Sequence, residues 1–281
     1  MAQADPDDDA GGAGGGRLVV CPTPIGNLED VTLRVLAVLK SASVVACEDT
    51  RRTRVLLDRH GVSATLVSYH EHNERRRSAE LVDRVARGEV VALVSDAGMP
   101  VVSDPGHVVV AACVSAGLRV EVLPGPSAVE TALVASALPA ERWVFVGFLP
   151  RRSAELSRVF AATDTLVAFE SPRRLVATLG VLAAVDPSRR VAVCRELTKV
   201  HEEVVRGTGA EVLARFSEGD VRGEIVLVVA GAPAVGGDVE AAADALRRLV
   251  DAGARLRPAA AVVAELTGTS ANELYRRLTS S

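Results

Sequence analysis

The sequence predicts an α/β protein of two domains. The first is a mostly parallel sheet with helices on both faces, the second a mixed α/β domain, and a small helical appendage follows. Three observations predict it. From residue 17 onward, short β-branched runs alternate with amphipathic segments, the pattern of βαβ units. The strand runs are almost continuously apolar, as strands buried on both faces are. Beyond about residue 140 the strands follow one another more directly, which favours mixed or antiparallel pairing. At 281 residues and 48% hydrophobic content, the chain has material for two cores.

In order, residues 1–16 (MAQADPDDDAGGAGGG) read as a disordered Asp/Gly tail without the apolar stretch of a signal peptide. The first domain spans 17–139, with strands at 17–21, 43–47, 65–69, 90–95 and 119–124. Helical patterns fill 29–40, 50–60, 73–87, 106–117 and 126–138. The texture changes at LPAERWVFVGFLPRR, which holds the only Trp and two of the five Phe. The second domain covers 140–232, with strands at 165–170, 190–197, 200–207 and 224–231 and helices at 172–185 and 208–217. A linker at 232–238 leads to 238–281, where helix, Thr-Gly-Thr turn, Ser270 as N-cap and a second helix make a helix-turn-helix-like pattern. An ordinary helical hairpin accounts for it equally, since no basic recognition face is evident.

The net charge of −4 belongs to the tail, which holds four Asp and no base, leaving 32 bases and 32 acids in residues 17–281. Thirty of the bases are Arg; only Lys40 and Lys199 are Lys. Cys21, Cys47, Cys113 and Cys194 lie in apolar runs without metal-ligand spacing, so they read as buried thiols of a reducing compartment, and no metal is expected. No apolar run reaches the roughly 18–20 residues of a membrane span, so no membrane partner is expected.

Candidate chemistry lies just beyond strand ends, where open α/β sheets bind ligands. Pro22-Thr23-Pro24-Ile25-Gly26-Asn27 is either a rigid turn or a ligand loop, and it is not a dinucleotide fingerprint. Glu48 and Asp49, followed by Arg51, Arg52 and Arg54, combine acids that orient a hydroxyl with bases for phosphates; a plain helix N-terminus reads the same way. Ser95–Gly106, dense in Gly, Pro, Ser and Asp, has the length of a functional loop, with Asp96 as hydrogen-bond acceptor and Ala97 and Gly98 leaving room for a ligand. Ser103 or Asp104 as a simple helix cap is the alternative. Pro124-Gly125-Pro126-Ser127 presents donors at a helix start. In the second domain, Phe169-Glu170-Ser171-Pro172-Arg173-Arg174 and Arg195-Glu196-Leu197-Thr198-Lys199 end strands, and Arg222-Gly223-Glu224 precedes the last one.

Taken together and in order, PTPIGNLED, CEDTRRT, HEHNE, VSDAGMPVVSDPG, LPGPSA, VGFLPRR, FESPRRL, RELTKVHEE and RGEIVLVV resemble the tetrapyrrole methylase superfamily. Within it they are most similar to the ribosomal small-subunit methyltransferase I family, over about Leu18 to Gly231. The resemblance implies a cytoplasmic homodimer that uses S-adenosylmethionine, held between the domains, to 2′-O-methylate a cytidine ribose (cytidine 1402) of 16S rRNA in the small ribosomal subunit. Carried onto this sequence, cofactor binding falls to Asp96, Ala97, Gly98, Ser103, Pro124, Gly125, Ser127, Glu170 and Ser171. Candidates for aligning the hydroxyl or removing its proton are Lys199, Glu196, Glu48 and Asp49. Lys199 acts as base if desolvation beside positive charge neutralises it, and is structural if it pairs with Glu196 or Glu202. Phosphate contacts fall to Arg51, Arg52, Arg54, Arg75, Arg76, Arg77, Arg173 and Arg174. One departure is that Arg151-Arg152-Ser153-Ala154-Glu155 is shorter and less basic than the loop such proteins carry there. Two rivals remain at this stage: a methyltransferase acting on a tetrapyrrole precursor, and a non-catalytic nucleic-acid-binding module.

Overall fold

The computed structural model describes residues 15–232 and 239–279. The expected tail falls almost wholly outside the described residues, as does the linker apart from Ala232.

Strands β1 (Arg17–Val20), β2 (Val44–Cys47), β3 (Leu66–Ser68), β4 (Val90–Leu93) and β5 (Arg119–Val122) form an all-parallel sheet in the order β3-β2-β4-β1-β5. Alternation along the strands feeds two cores. Val19, Val45 and Ala92 face α1 (Leu33–Ser41) and α2 (Thr50–Arg59), whereas Leu18, Val20, Val44 and Val91 face α3 (Glu74–Ala86) and α4 (His107–Ser115). The helix expected over 29–40 is split. Asn27 caps a 3-10 turn at Leu28–Asp30, and the Thr32 hydroxyl accepts from Val35 N to start α1 afresh.

After β1 the chain crosses to β2 on one side of β4; after β4 it crosses to β5 on the other side of β1. The order therefore reverses between neighbouring strands β1 and β4, and their C-terminal ends open a crevice there.

In the second sheet, β6 (Trp143–Phe148), β7 (Thr165–Glu170), β10 (Ile225–Val229), β8 (Arg190–Arg195) and β9 (Glu203–Thr208) stand in that spatial order. Only β6–β7 is parallel. Strand β6 and α6 (Ser153–Phe160) are additions to the sequence reading, which noted the aromatic stretch but assigned no element to it. One face packs α6, α7 (Leu175–Val185) and α8 (Gly209–Phe216) around Phe160, Leu179, Val212 and Leu227. The other face receives α5 (Ala128–Ser136), through Val129, Ala132 and Leu133, and Ile25 from the loop after β1. Although α5 precedes residue 140, its buried side thus belongs to the second sheet.

Helices α9 (Val239–Asp251), α10 (Leu256–Thr267) and α11 (Ala271–Thr279) close a small core of their own around Leu246, Val263 and Leu274. Gly268 (φ +67°) ends α10, and the Ser270 hydroxyl accepts from Glu273 N to begin α11, the turn expected from the sequence.

Candidate functional site

Three loops of the first domain meet at the crevice. Thr23 and Gly98 exchange both backbone hydrogen bonds, each 2.9 Å, which ties the loop after β1 to the loop after β4. The Thr23 hydroxyl donates to Ser95 O at 3.0 Å, and the buried Ser95 hydroxyl to Gly98 O at 3.0 Å. Gly125 presses on Pro22, where a Cβ would come within 2.5 Å of Cγ. The loop 95–106 is anchored at its far end by Glu74, whose Oε1 accepts from Gly106 N (3.0 Å) and from the Tyr69 hydroxyl (3.1 Å). That gives the second Glu of HEHNE a structural task. Gly106, and neither Ser103 nor Asp104, is the N-cap of α4.

The second domain closes the other side. Gly26 packs against the turn after β8 so tightly that an added Cβ would lie 2.8 Å from Leu197 O and 2.5 Å from Lys199 Cγ. Between the domains lies a cavity of about 360 Å³. Its first-domain wall includes Ile25, Ala97, Gly98, Ser103, Asp104 and Ser127; its second-domain wall includes Phe148, Phe169, Glu170, Ser171, Leu197 and Glu224. Phe169 meets both Phe145 and Phe148 edge-on, with centroids 5.0 and 5.5 Å apart.

Four non-glycine residues beside this cavity have positive φ. Val101 (+77°) and Ser103 (+64°) lie in the 95–106 loop; Glu196 (+51°) and Thr198 (+65°) lie in the turn after β8. For β-branched Val and Thr this conformation is strained and persists only because the surroundings over-determine it.

Of the residues expected to bind a cofactor, Ala97, Gly98, Ser103, Ser127, Glu170 and Ser171 line the cavity, whereas Asp96, Pro124 and Gly125 stand behind it. Asp96 faces α2, accepting from Asp49 N at 2.9 Å and lying 3.5 Å from Arg52. Among the catalytic candidates, Lys199, Glu196, Glu48 and Asp49 are all outside the lining. Lys199 Nζ bonds Glu196 (2.8 Å) and Glu224 (2.9 Å), so its partners are Glu196 and Glu224, not Glu202. Burial works to lower the Lys199 pKa, but the bonds to Glu196 and Glu224 prevail and raise it, keeping an ammonium. Asp49 is the N-cap of α2 and is held down to about 2 by its bonds with Arg51.

Two further acids move the other way. Burial, then the Asp96 charge, pushes Glu48 up against the opposing pull of Arg52 and His70. Burial, then the Glu48 charge, pushes Asp104 up to about 6, with Ser95 opposing and Asp96 adding to the rise. Sequence reasoning treated Asp104 only as a cap, placed Phe169 and Glu224 in candidate segments without giving them a role, and did not single out Phe148. The clustered aromatics of WVFVGF were the available signal for Phe148.

Comparison with known proteins decides the family. The model for Tetrapyrrole (Corrin/Porphyrin) Methylases matches residues 17–213. A protein named Ribosomal RNA small subunit methyltransferase I, from Micromonospora olivasterospora, is 45% identical over 99% of this chain and 91% of its own length. The chain belongs to the ribosomal RNA small subunit methyltransferase I family of tetrapyrrole methylases. Among solved structures, uroporphyrin-III-C-methyltransferase from Thermus thermophilus aligns with this family member at a TM-score of 0.54 and 26% identity, covering 76% of this chain and 94% of that one. The same enzyme complexed with S-adenyl homocysteine aligns at 0.55 and 22% identity, covering 76% and 97%.

The arginines of this family member divide by environment. Arg51, Arg52, Arg54, Arg75, Arg76 and Arg173 are exposed, although Arg51 and Arg52 rest on Asp49 and Asp96. Arg77 is paired with Glu80 and largely covered. Arg174 is drawn inward, donating to Leu149 O (3.1 Å) and Pro150 O (2.6 Å) and lying 3.4 Å from buried Glu170. Arg151 and Arg152 run directly into α6.

Proposed function

We propose that this chain methylates rRNA with S-adenosylmethionine, its target the 2′-hydroxyl of a cytidine in the 16S rRNA of the small ribosomal subunit. The observation that carries this reading is the end-to-end likeness to a protein named for ribosomal RNA small subunit methylation. The cavity supports it. Its volume lies in the range of small-molecule sites, roughly 300–1,000 Å³. It sits at the switch point of a parallel sheet, and its walls suit a folded, cationic nucleoside cofactor. Ala97 and Gly98 put no bulky side chain into the cavity, and Ser103, Ser127 and Ser171 supply hydroxyls. The nearby cations Lys199 and Arg174 are neutralised by Glu196, Glu224 and Glu170, so none repels a sulfonium.

When bound, S-adenosylmethionine supplies an already activated methyl group, so alignment provides much of the rate. The chain's part is to hold the acceptor hydroxyl in line and exclude water. Ile25 and Leu197 add apolar lining, with the Phe148–Phe169 pair on the second-domain side. Lys199 serves as a positioning group that fixes Glu224 and Glu196 at the rim. Exposed Arg51, Arg54, Arg75, Arg76 and Arg173 meet phosphates around the target nucleotide. A homodimer fits the exposed Trp143, Val144, Val146 and Phe148 along edge strand β6. No helix among the described residues is long and apolar enough to cross a membrane. An rRNA substrate fits a cytoplasmic enzyme.

The test is incubation with labelled S-adenosylmethionine and small ribosomal subunits from a strain lacking this gene, followed by mass mapping of the rRNA. One new 2′-O-methylcytidine is expected. Methyl incorporation into a tetrapyrrole precursor, with none in the subunits, overturns the reading; so does tight nucleic-acid binding without any heat of cofactor binding.

A further inference from the structure

Three carboxyl side chains line the cavity: Asp104, Glu170 and Glu224. Two are already engaged. Glu170 is fully enclosed, its Oε1 accepting from Ser171 N (2.7 Å) and its Oε2 from the Thr178 hydroxyl (2.5 Å), with Arg174 at 3.4 Å. Glu224 holds Lys199 at 2.9 Å. Asp104 has no ion pair among the described residues, and the nearby Ser95 hydroxyl, which gives its proton to Gly98 O, is neutral. Its charged neighbours are Glu48, at the end of β2, and Asp96, at the end of β4. The flanking charges lie one step further out: Arg52 beside Asp96 and Glu48, His70 beside Glu48, and Glu74 on Gly106 N. A part-buried carboxyl with carboxylates for neighbours gains by taking up a proton, and here one such group belongs to the cavity lining.

We propose that Asp104, the one carboxyl group of the cavity lining without a cationic partner among the described residues, is a catalytic residue, the acceptor for the proton leaving the substrate's ribose hydroxyl during methyl transfer. The proposal rests on the reading of the site as a hydroxyl methyltransferase. In the step, the hydroxyl oxygen forms a bond to the methyl carbon of S-adenosylmethionine as the carbon–sulfur bond breaks, its electron pair returning to sulfur as a neutral thioether. The hydroxyl proton passes to the Asp104 carboxylate and is lost to solvent once the products leave. The poise of Asp104 near neutrality suits a group that is ionised at working pH yet still accepts a proton. The strained Val101 and Ser103 and the Glu74 anchor on Gly106 fix the segment that presents it.

The experiment compares wild type, Asp104→Asn and Glu48→Gln on unmodified small subunits in single-turnover methyl transfer from pH 5 to 9. Cofactor affinity is measured by calorimetry, and the Asp104 carboxyl is titrated by ¹³C NMR in the enzyme alone. Asp104→Asn is expected to lose about 10²-fold or more in rate and to flatten the acid limb, with the cofactor Kd within about threefold of wild type. Glu48→Gln, by removing a like charge, is expected to move the acid limb and the Asp104 titration to lower pH together. An Asp104→Asn rate within threefold of wild type, an Asp104→Asn enzyme that no longer binds cofactor, or a limb unmoved in Glu48→Gln overturns the assignment. A wild-type enzyme that leaves the subunits unmethylated sinks the functional reading instead, and the assignment with it.

Discussion

Replacing Arg174 with Met tests whether this arginine serves RNA or the fold. The Glu170 carboxylate has no exposed surface, while the Arg174 side chain is 29% exposed. Removing one partner of a buried pair costs about 3–5 kcal/mol, because the other charge stays buried. Here Glu170 keeps the Ser171 N–H and the Thr178 hydroxyl, which places the loss at the low end. The carbonyls of Leu149 and Pro150 lose their donor as well, at about 1 kcal/mol each unless water replaces it. A net destabilisation of about 3 kcal/mol is expected, or about 1 M in the urea midpoint for a slope of ~3 kcal/mol per M. Trp143, the single tryptophan, lies on β6 beside β7 and reports this unfolding by fluorescence. Arg173→Met, exposed next door, is expected to stay within about 0.5 kcal/mol of wild type. The double variant Glu170→Gln/Arg174→Met is expected to recover at least about 1 kcal/mol relative to Arg174→Met, since no charge is stranded. A midpoint unchanged in Arg174→Met, together with a raised KM for the ribosomal subunit, would refute the reasoning and return Arg174 to the phosphate-binding set.

Three other perturbations follow from the same contacts. Gly26→Ala drives a Cβ against the Leu197 carbonyl, so about 1–3 kcal/mol of stability and at least tenfold in cofactor affinity should be lost; calorimetry showing wild-type binding would refute the close approach. Asp104 has a folded pKa of about 6 against an ordinary 3.8, so its favourable contribution is complete below about pH 4 and is lost as pH rises through 6. Asp104→Asn should accordingly have a higher Tm than wild type at pH 8, with the gain vanishing toward pH 4; a gain confined to acid pH would contradict the burial argument. Lys199→Met removes a partly exposed pairing and should cost about 1 kcal/mol, with turnover within tenfold of wild type. Complete loss of turnover with unchanged cofactor affinity would instead make Lys199 the base.

The parallel half of the fold was legible because most of its strands are short apolar runs separated by helical segments, and Thr32 and Asp49 are the side-chain caps that start α1 and α2. Strand β6 was not. It lies at the edge of the second sheet with Trp143, Val144, Val146 and Phe148 exposed, so neither alternation nor full burial marks it. The role of α5 was hidden for another reason. Its sequence shows an apolar helix but not which sheet it covers, and chain order points to the first while the packing uses the second.

At the site, the loops were readable and the charges were not. Gly, Pro and Ser in 95–106 announce a ligand loop from composition, yet that Asp96 turns toward α2 while Asp104 faces the cavity depends on a backbone that enters the left-handed region at Val101 and Ser103, which no propensity favours. Likewise Lys199 is conspicuous in a chain of arginines, but its chemistry is set by Glu196, held at φ +51°, and by Glu224, 25 residues away. Strained backbone therefore stands on both walls of the cavity, in the loop that carries Asp104 and in the turn that carries Glu196 to Lys199. The stabilising pairs at Glu170 and Glu224 remove two acids from chemistry, and the arrangement leaves the third, Asp104, among like charges. That division of acids exists only in the assembled crevice, so the sequence could name the loops without naming the group that takes the proton.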